Sequence, residues 1–354
     1  MKKTFLLIFL FIIGIILYFI FTPSPIDPVP WTPPINKGFT GSFEANEDLD
    51  KLQYLIKDEC VGCEDLAFDS TGLFVYSGEV DGDILRFNLE TKESKKVTNT
   101  GGRPLGMMFD DNELLIIADA HKGLISVDIN SGEINVLTDS YQGERLNFVD
   151  DLDIDSSGVI YFSDASSKYG FDEVISDMME RRPHGALYSY DPSRKTTSLL
   201  LDDLYFANGV AISSDESFLF INETSNYSIS KYWLKGPKKG TREFINDNLP
   251  GFPDNVTHGE SGTFWLTLVA PRQQSLDDMM PNPTIRSLFM KLPKSMHPAA
   301  THYGSVVGLD KDGNVTHNFQ SSNPKFVEIT SVTEHKGKIY FGSLVDTGIA
   351  YMEL

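Results

Sequence analysis

The sequence predicts an all-β fold, a six-bladed β-propeller, preceded by an N-terminal transmembrane helix. Three observations carry that expectation. A hairpin unit recurs six times, each time an alternating strand, a Gly- or Asp-containing turn and a second strand. No long helical pattern separates the strands, which argues against βαβ units. A continuous apolar run occupies the N-terminus.

That run, "TFLLIFLFIIGIILYFIF" from Thr4 to Phe21, is long enough to cross a hydrocarbon core as a helix. Lys2 and Lys3 precede it and favour a cytoplasmic N-terminus. A cleaved signal peptide would have a shorter apolar region and a small-residue cleavage site, and the run ends instead in "YFIFTPSPIDP". Residues 1–21 are therefore read as an uncleaved anchor. Residues 22–43, opening with the proline-rich "TPSPIDPVPWTPPINKG", read as an extended, semi-rigid linker. Residues 44–354 are the propeller, placed on the non-cytoplasmic side: periplasmic, lumenal or extracellular.

The six units are "CEDLAFDSTGLFVYSG", "RPLGMMFDDNELLIIAD", "VDDLDIDSSGVIYFSD", "ANGVAISSDESFLFIN", "PDNVTHGESGTFWLTL" and "EITSVTEHKGKIYFGS". Several are followed by two further strands, as in "DGDILRFNLETKESKKV" and "KGLISVDINSGEINVL". Four strands per repeat is the pattern of a propeller blade. The last repeat, ending in "GIAYMEL", is one strand short. Asp50–Lys57, "DKLQYLIK", is expected to supply the missing strand and remove the free edge.

In a propeller the first strand of each blade lines the central channel. The residues that open those strands are Glu64, Pro104, Asp150, Asn208, Asp254 and Thr330. Turn chemistry accounts for any one of them, "LPGFPDNV" included. It does not account for ring symmetry bringing Glu64, Asp150, Asn208 and Asp254 to one axis. Three carboxylates buried together repel one another unless a cation joins them. All-oxygen ligation points to Ca²⁺ ahead of Mg²⁺ or Mn²⁺. Asn255 and Asp151, next in line, are second candidates. The net charge of −20 and pI near 4.7 fit cation binding and disfavour nucleic acid.

The motifs "GRPLGM", "IADAHKGLISVD", "GVIYFSDASSKYG", "LLLDDLYFANGVAIS", "LPGFPDNV" and "VTEHKGKIYFGSL" occur in order between Gly62 and Leu344. With them the chain resembles the strictosidine synthase-like, adipocyte plasma membrane-associated protein-like family of six-bladed propellers. That family is related to gluconolactonases and paraoxonases. The resemblance implies that Glu64, Asp150, Asn208 and Asp254 hold Ca²⁺, as a Glu, two Asn and an Asp do in the metal-dependent relatives. The departure is Asp150, where those relatives carry Asn, and it leaves open whether Asp150 or Asp151 is the ligand. In the plant synthase a catalytic Glu opens the last inner strand; Thr330 stands there in this chain, which argues against synthase chemistry. Glu328 lies two residues earlier, and no motif places it.

The expected activity is calcium-dependent hydrolysis of small esters or lactones, arylesterase- or lactonase-like, at the channel mouth. Asp254 is the candidate base or nucleophile. His184 is a second catalytic candidate, ahead of His121 and His258, and Arg103 a substrate-binding one. The alternative is a non-catalytic propeller whose calcium is structural and whose mouth binds a partner or ligand. Two insertions, Ser166–His184 and Ala270–Gly304, carry Met, aromatics and helical spacing, which suits an apolar lid. Cys60 and Cys63 are too few ligands for zinc and are read as a disulfide or as two thiols. Asn222, Asn226, Asn255 and Asn314 lie in Asn-x-Ser/Thr sequons.

Overall fold

The computed structural model describes residues 2–297 and 300–354, apart from the side chains at 2, 11, 12, 15, 16 and 20. Residues 298 and 299 of the second insertion lie outside the described residues.

Six four-stranded antiparallel sheets are arranged as blades. Their inner strands are Ala67–Phe68, Pro104–Phe109, Val149–Ile154, Ala207–Ile212, Gly251–His258 and Ile329–His335. Each blade then runs outward through consecutive hairpins, as the alternating pattern requires. The sixth blade closes as expected: Gln53–Lys57 pairs antiparallel with Gly348–Glu353, with Gln53 opposite Tyr351. One blade thus contains both ends of the propeller sequence, with Gln53–Lys57 as its outermost strand.

The core lies between neighbouring blades. One apolar cluster joins Phe218 and Phe220 of blade 4 to Phe264 and Leu266 of blade 5. Side chains also tie adjacent blades directly. Asp65 Oδ2 accepts from Met107 N at 2.9 Å, and Asp151 Oδ2 from Val210 N at 2.8 Å. Thr267 Oγ1 donates to Thr330 O at 2.6 Å.

The N-terminal run forms helix α1, Lys2–Phe21. Its last turn is held by protein: Tyr18 Oη donates to Lys291 O and Lys291 Nζ to Phe19 O, both at 2.8 Å. A crossing needs about 20 consecutive apolar residues. Among the described residues no helix is long and apolar enough to cross a membrane. The expected transmembrane helix is therefore corrected to an N-terminal helix whose final turn packs on the second insertion, and the single-pass topology falls with it. Residues 22–43 lie against the propeller, with Ile26 only 4% exposed.

The insertions fold as short helices. Ser166–His184 contains α2, Val174–Glu180, and Ala270–Gly304 contains α3, Gln274–Met279, and α4, Pro283–Met290. Asn282 caps α4 by accepting from Ile285 N, with Pro283 at the first position, where the missing N–H costs nothing.

Candidate metal centre and substrate cavity

Irregularities in pairing, not ideal strands, place the site residues. Between blades' first and second strands the register shifts at Val149/Leu152, Ala207/Val210, Pro253/Val256 and Ile329/Ser331. The residues inside those shifts are Asp150 and Asp151, Asn208, Asp254 and Asn255, and Thr330. A bulge re-aims side chains that regular pleating would send elsewhere. Gly209 makes the approach possible: a Cβ there would meet Val256 N at 2.4 Å and Asp254 O at 2.6 Å.

The result is a cavity of about 430 Å³ at one channel mouth. Glu64, Asp150, Asn208, Asp254, Glu328 and Thr330 all line it. Its other walls are mainly apolar: Phe148, Phe206 and Phe252 come from the blades, and Met178, Met179, Met279 and Phe289 from the three insertion helices, with Gln273, Ser275 and His297 among them. The lid expected from the insertions is thus the cavity's roof.

The polar groups of the mouth are interlocked. Asn208 Nδ2 donates to Asp254 Oδ1 at 2.8 Å, and Asn255 Nδ2 to Glu64 Oε1 at 2.9 Å. Thr330 Oγ1 and Ser331 Oγ hold the Glu64 carbonyl at 2.7 and 2.8 Å. Asn222 Nδ2 holds the Asp254 carbonyl at 2.5 Å. Two acceptor oxygens of the four proposed ligands, Glu64 Oε2 and Asn208 Oδ1, are buried with no hydrogen-bond partner among the described residues, as are those of Asn222 and Asn255. A buried unsatisfied acceptor costs about 1–3 kcal/mol.

Burial pushes the Glu64 carboxyl well above the usual range, and the charges of Asp254, Asp65, Asp150 and Asp151 push it further. Asp150 is raised by burial and then by Asp254 and Asp164, with Arg103 acting against them. Asp254 is pushed up to about 7, mainly by burial, while the Asn208 hydrogen bond pulls it down. These acids are poised to take up protons or a cation. The donor set is all oxygen, carries two unmatched acceptors and fits a hard divalent cation. Among the described residues, three carboxylates with oxygens mutually within 4.8 Å occur elsewhere, at Glu79, Asp81 and Asp83 on the surface. There Asp83 already pairs with Lys96 and Asn99. Glu64, Asp150 and Asp254 are not drawn that close, and opposed ligands of one Ca²⁺ stand about 5 Å apart.

The residues after Glu64 and Asp150 face the other way, while Asn255, after Asp254, stays with Glu64. Asp65, Asp151 and Asp153 line a second cavity of about 380 Å³ with His258. Asp150 rather than Asp151 therefore belongs with Glu64, Asn208 and Asp254. Asp65 and Asp151 make a second carboxylate pair in that cavity, where burial raises both, Asp65 to about 6.

The other candidates separate. His184 does not line the mouth cavity; its Nε2 meets Glu180 Oε1 at 2.9 Å. His258 Nε2 meets Ser214 Oγ at 3.0 Å in the second cavity. His121 packs edge-on to Phe171. Arg103 is 1% exposed, donates from Nη1 to Gly62 O at 2.9 Å and lies over Phe171. Its charge acts on Asp150 from within the protein, not from the cavity wall. Cys60 and Cys63 form a disulfide in the loop before Glu64. Glu328, which no motif placed, is brought to the cavity by a positive φ of 46°. Strand spacing cannot announce such a conformation.

Models of two families match the chain: strictosidine synthase over residues 150–237 and the strictosidine synthase-like N-terminal region over 41–87. Strictosidine synthase-like protein 4 of Arabidopsis thaliana is 34% identical over 296 residues, covering 82% of this chain and 79% of the relative. The adipocyte plasma membrane-associated protein of Salmo salar is 30% identical over 371 residues, covering 97% and 88%. Among solved structures, a gluconolactonase from Xanthomonas campestris superimposes with a TM-score of 0.63 at 17% identity, covering 94% of this chain and 99% of that one. A calcium-binding protein, regucalcin, from Agrobacterium tumefaciens gives 0.60 at 13% identity, covering 84% and 91%. Both show the shared fold.

Proposed function

The chain belongs to the family of strictosidine synthase-like and adipocyte plasma membrane-associated proteins, and from that premise we propose that it is a calcium-dependent hydrolase of esters or lactones. The observation that carries the reading is the meeting of four oxygen-bearing side chains, two of them with unmatched acceptors, at the floor of an apolar, roofed cavity. Gluconolactonase and regucalcin are the names of structural neighbours only.

Glu64, Asp150, Asn208 and Asp254 would hold the ion. A bound Ca²⁺ would supply a Lewis acid for an ester or lactone carbonyl. The chain's own groups do the rest. Asn208 Nδ2 fixes the Asp254 carboxylate, which takes the proton of the attacking water as the water oxygen bonds to the acyl carbon; the acyl–oxygen bond then breaks and the departing alkoxide takes that proton from Asp254 to become the alcohol. Glu328 stands in the same cavity and its charge acts on Asp254, so it is a second proton acceptor to be tested. The apolar walls exclude water and bind the substrate's hydrocarbon. His184, bonded to Glu180, is given no catalytic part.

The Cys60–Cys63 disulfide supports an oxidising compartment, which keeps the expectation of a non-cytoplasmic location as a proposal.

The test is a panel of aryl esters and lactones assayed with Ca²⁺ and with excess chelator. Hydrolysis that vanishes with chelator and returns with Ca²⁺ supports the reading. Calcium binding without turnover of any ester or lactone favours the non-catalytic propeller.

A further inference from the structure

We propose that residues 26–31 are a positioning strap that holds the three roof helices over the mouth cavity and so sets how large an apolar substrate the site retains. The proposal rests on reading that cavity as the substrate site.

The roof cannot hold itself. Helices α2, α3 and α4 have 7, 6 and 8 residues, below the length at which a helix is stable alone. The segment "IDPVPW" crosses them in extended form. Its available amides alternate, and each meets the roof. Asp27 N donates to Glu180 Oε2 at 2.8 Å, Val29 N to Glu180 O at 3.2 Å, and Trp31 N to Met280 O at 3.2 Å. Pro28 and Pro30 fall between, where no donor is needed. The prolines also pre-set the extended backbone, so little entropy is lost on docking.

Side chains extend the same pattern. Ile26 is buried against Tyr169, Met179 and Met280. Arg286 of α4, fully buried, donates to Met179 O at 2.7 Å and to Val29 O. The Arg181 guanidinium, just past α2, lies 3.7 Å from the Trp31 ring centroid. The strap therefore touches α2, α4 and Met280 at the end of α3, and Met179 is at once its contact and a wall of the cavity. A roof fixed in this way limits the room above the metal-site residues.

The full chain with Ca²⁺ is compared with Val29→Pro, which removes one strap amide and keeps the extended backbone, and with Val29→Ala, which keeps the amide. Hydrogen exchange in residues 174–180 and 276–290 should rise about fivefold in Val29→Pro alone, the worth of one hydrogen bond. KM for 4-nitrophenyl octanoate should rise by a similar factor. KM for phenyl acetate and both kcat values should stay within about twofold, because no reacting group has moved. An Ile26→Ala, Trp31→Ala double variant should show the same split more strongly. Unchanged roof exchange in both folded variants overturns the strap. An equal rise in KM for the two esters overturns its role in selectivity. If the wild type hydrolyses neither ester, the hydrolase reading fails, and roof exchange alone decides whether the strap positions the lid.

Discussion

Asn208 donates from Nδ2 to Oδ1 of Asp254 at 2.8 Å, across the seam between blades 4 and 5. One amide thus orients the proposed reacting carboxylate while its own oxygen stays unmatched beside the cavity.

Replacing the two residues should have different results. Asp254→Asn keeps an oxygen for the ion but removes the basic lone pair. Turnover of an accepted ester should fall about a hundredfold or more, with Ca²⁺ still bound, more weakly. Asn208→Ala should weaken binding and turnover together. Calorimetric Ca²⁺ titration beside initial rates separates the cases. Near-normal hydrolysis by Asp254→Asn would leave it a ligand only and move the base to Glu328.

Stability without and with the ion should diverge with pH. Burial raises Asp254 to about 7, and Glu64 and Asp150 upward too. A raised folded value means the folded state binds the proton more tightly than the unfolded chain, whose carboxyls titrate near 4. Ion-free stability is therefore highest below about 4 from these groups and falls as pH rises to about 7. Ca²⁺ displaces those protons, so its increment in Tm should grow from pH 5 to pH 8. A constant increment across that range would falsify the carboxylate site.

Gly209→Ala should destabilise the fold by about 1–3 kcal/mol. The new Cβ would press on Val256 N and Asp254 O. Both atoms are backbone, so the strand itself must shift. Ca²⁺ affinity should fall in the same variant, because the Asp254 bulge moves with it. A urea midpoint equal to wild type would show that the seam is looser than the structure has it.

Glu180 should act as an acid-sensitive pin of the roof. It accepts from Asp27 N at 2.8 Å, Lys168 Nζ at 2.6 Å and Tyr169 Oη at 2.5 Å, and meets His184 at 2.9 Å. Burial opposes its charge, but these hydrogen bonds prevail and hold its carboxyl down to about 2. A depressed value gives stability that is complete above the unfolded range near 4.5 and is lost as pH falls toward 2. Protease cleavage within residues 174–180 should rise across that window. In Glu180→Gln it should already be high at neutral pH and change little with acid.

The propeller was legible because its signals are local and repeated. Alternation in "LLIIAD" or "GVIYFSD" needs no tertiary information, and six copies reinforce one another. The closing strand was legible from simple bookkeeping, since "GIAYMEL" left the last repeat one strand short. The ring argument also gathered Glu64, Asp150, Asn208 and Asp254. What it could not give was facing. Asp150 and Asp151 differ only by which side of a bulge each occupies, and register shifts leave no mark in the residue pattern. His184 has the right chemistry in the wrong place, because Glu180, the last residue of α2, takes its ring as the chain turns back past the helix end. The N-terminal run was read by apolarity alone, and the linker by its prolines. Neither signal discloses that amides at 27, 29 and 31 have partners some 150 to 250 residues away.

The pairing of Gln53–Lys57 with Gly348–Glu353 also constrains how the molecule is made. During synthesis the N-terminal strand emerges first, and its partner is within the last seven residues of the sequence. The strand must wait through translation of the other five blades, exposed and unpaired. Contacts between sequence ends close the largest loop a chain can form, and such closure is slow. The ring is therefore completed late, and a chain lacking Gly348–Glu353 would leave Gln53–Lys57 without its partner.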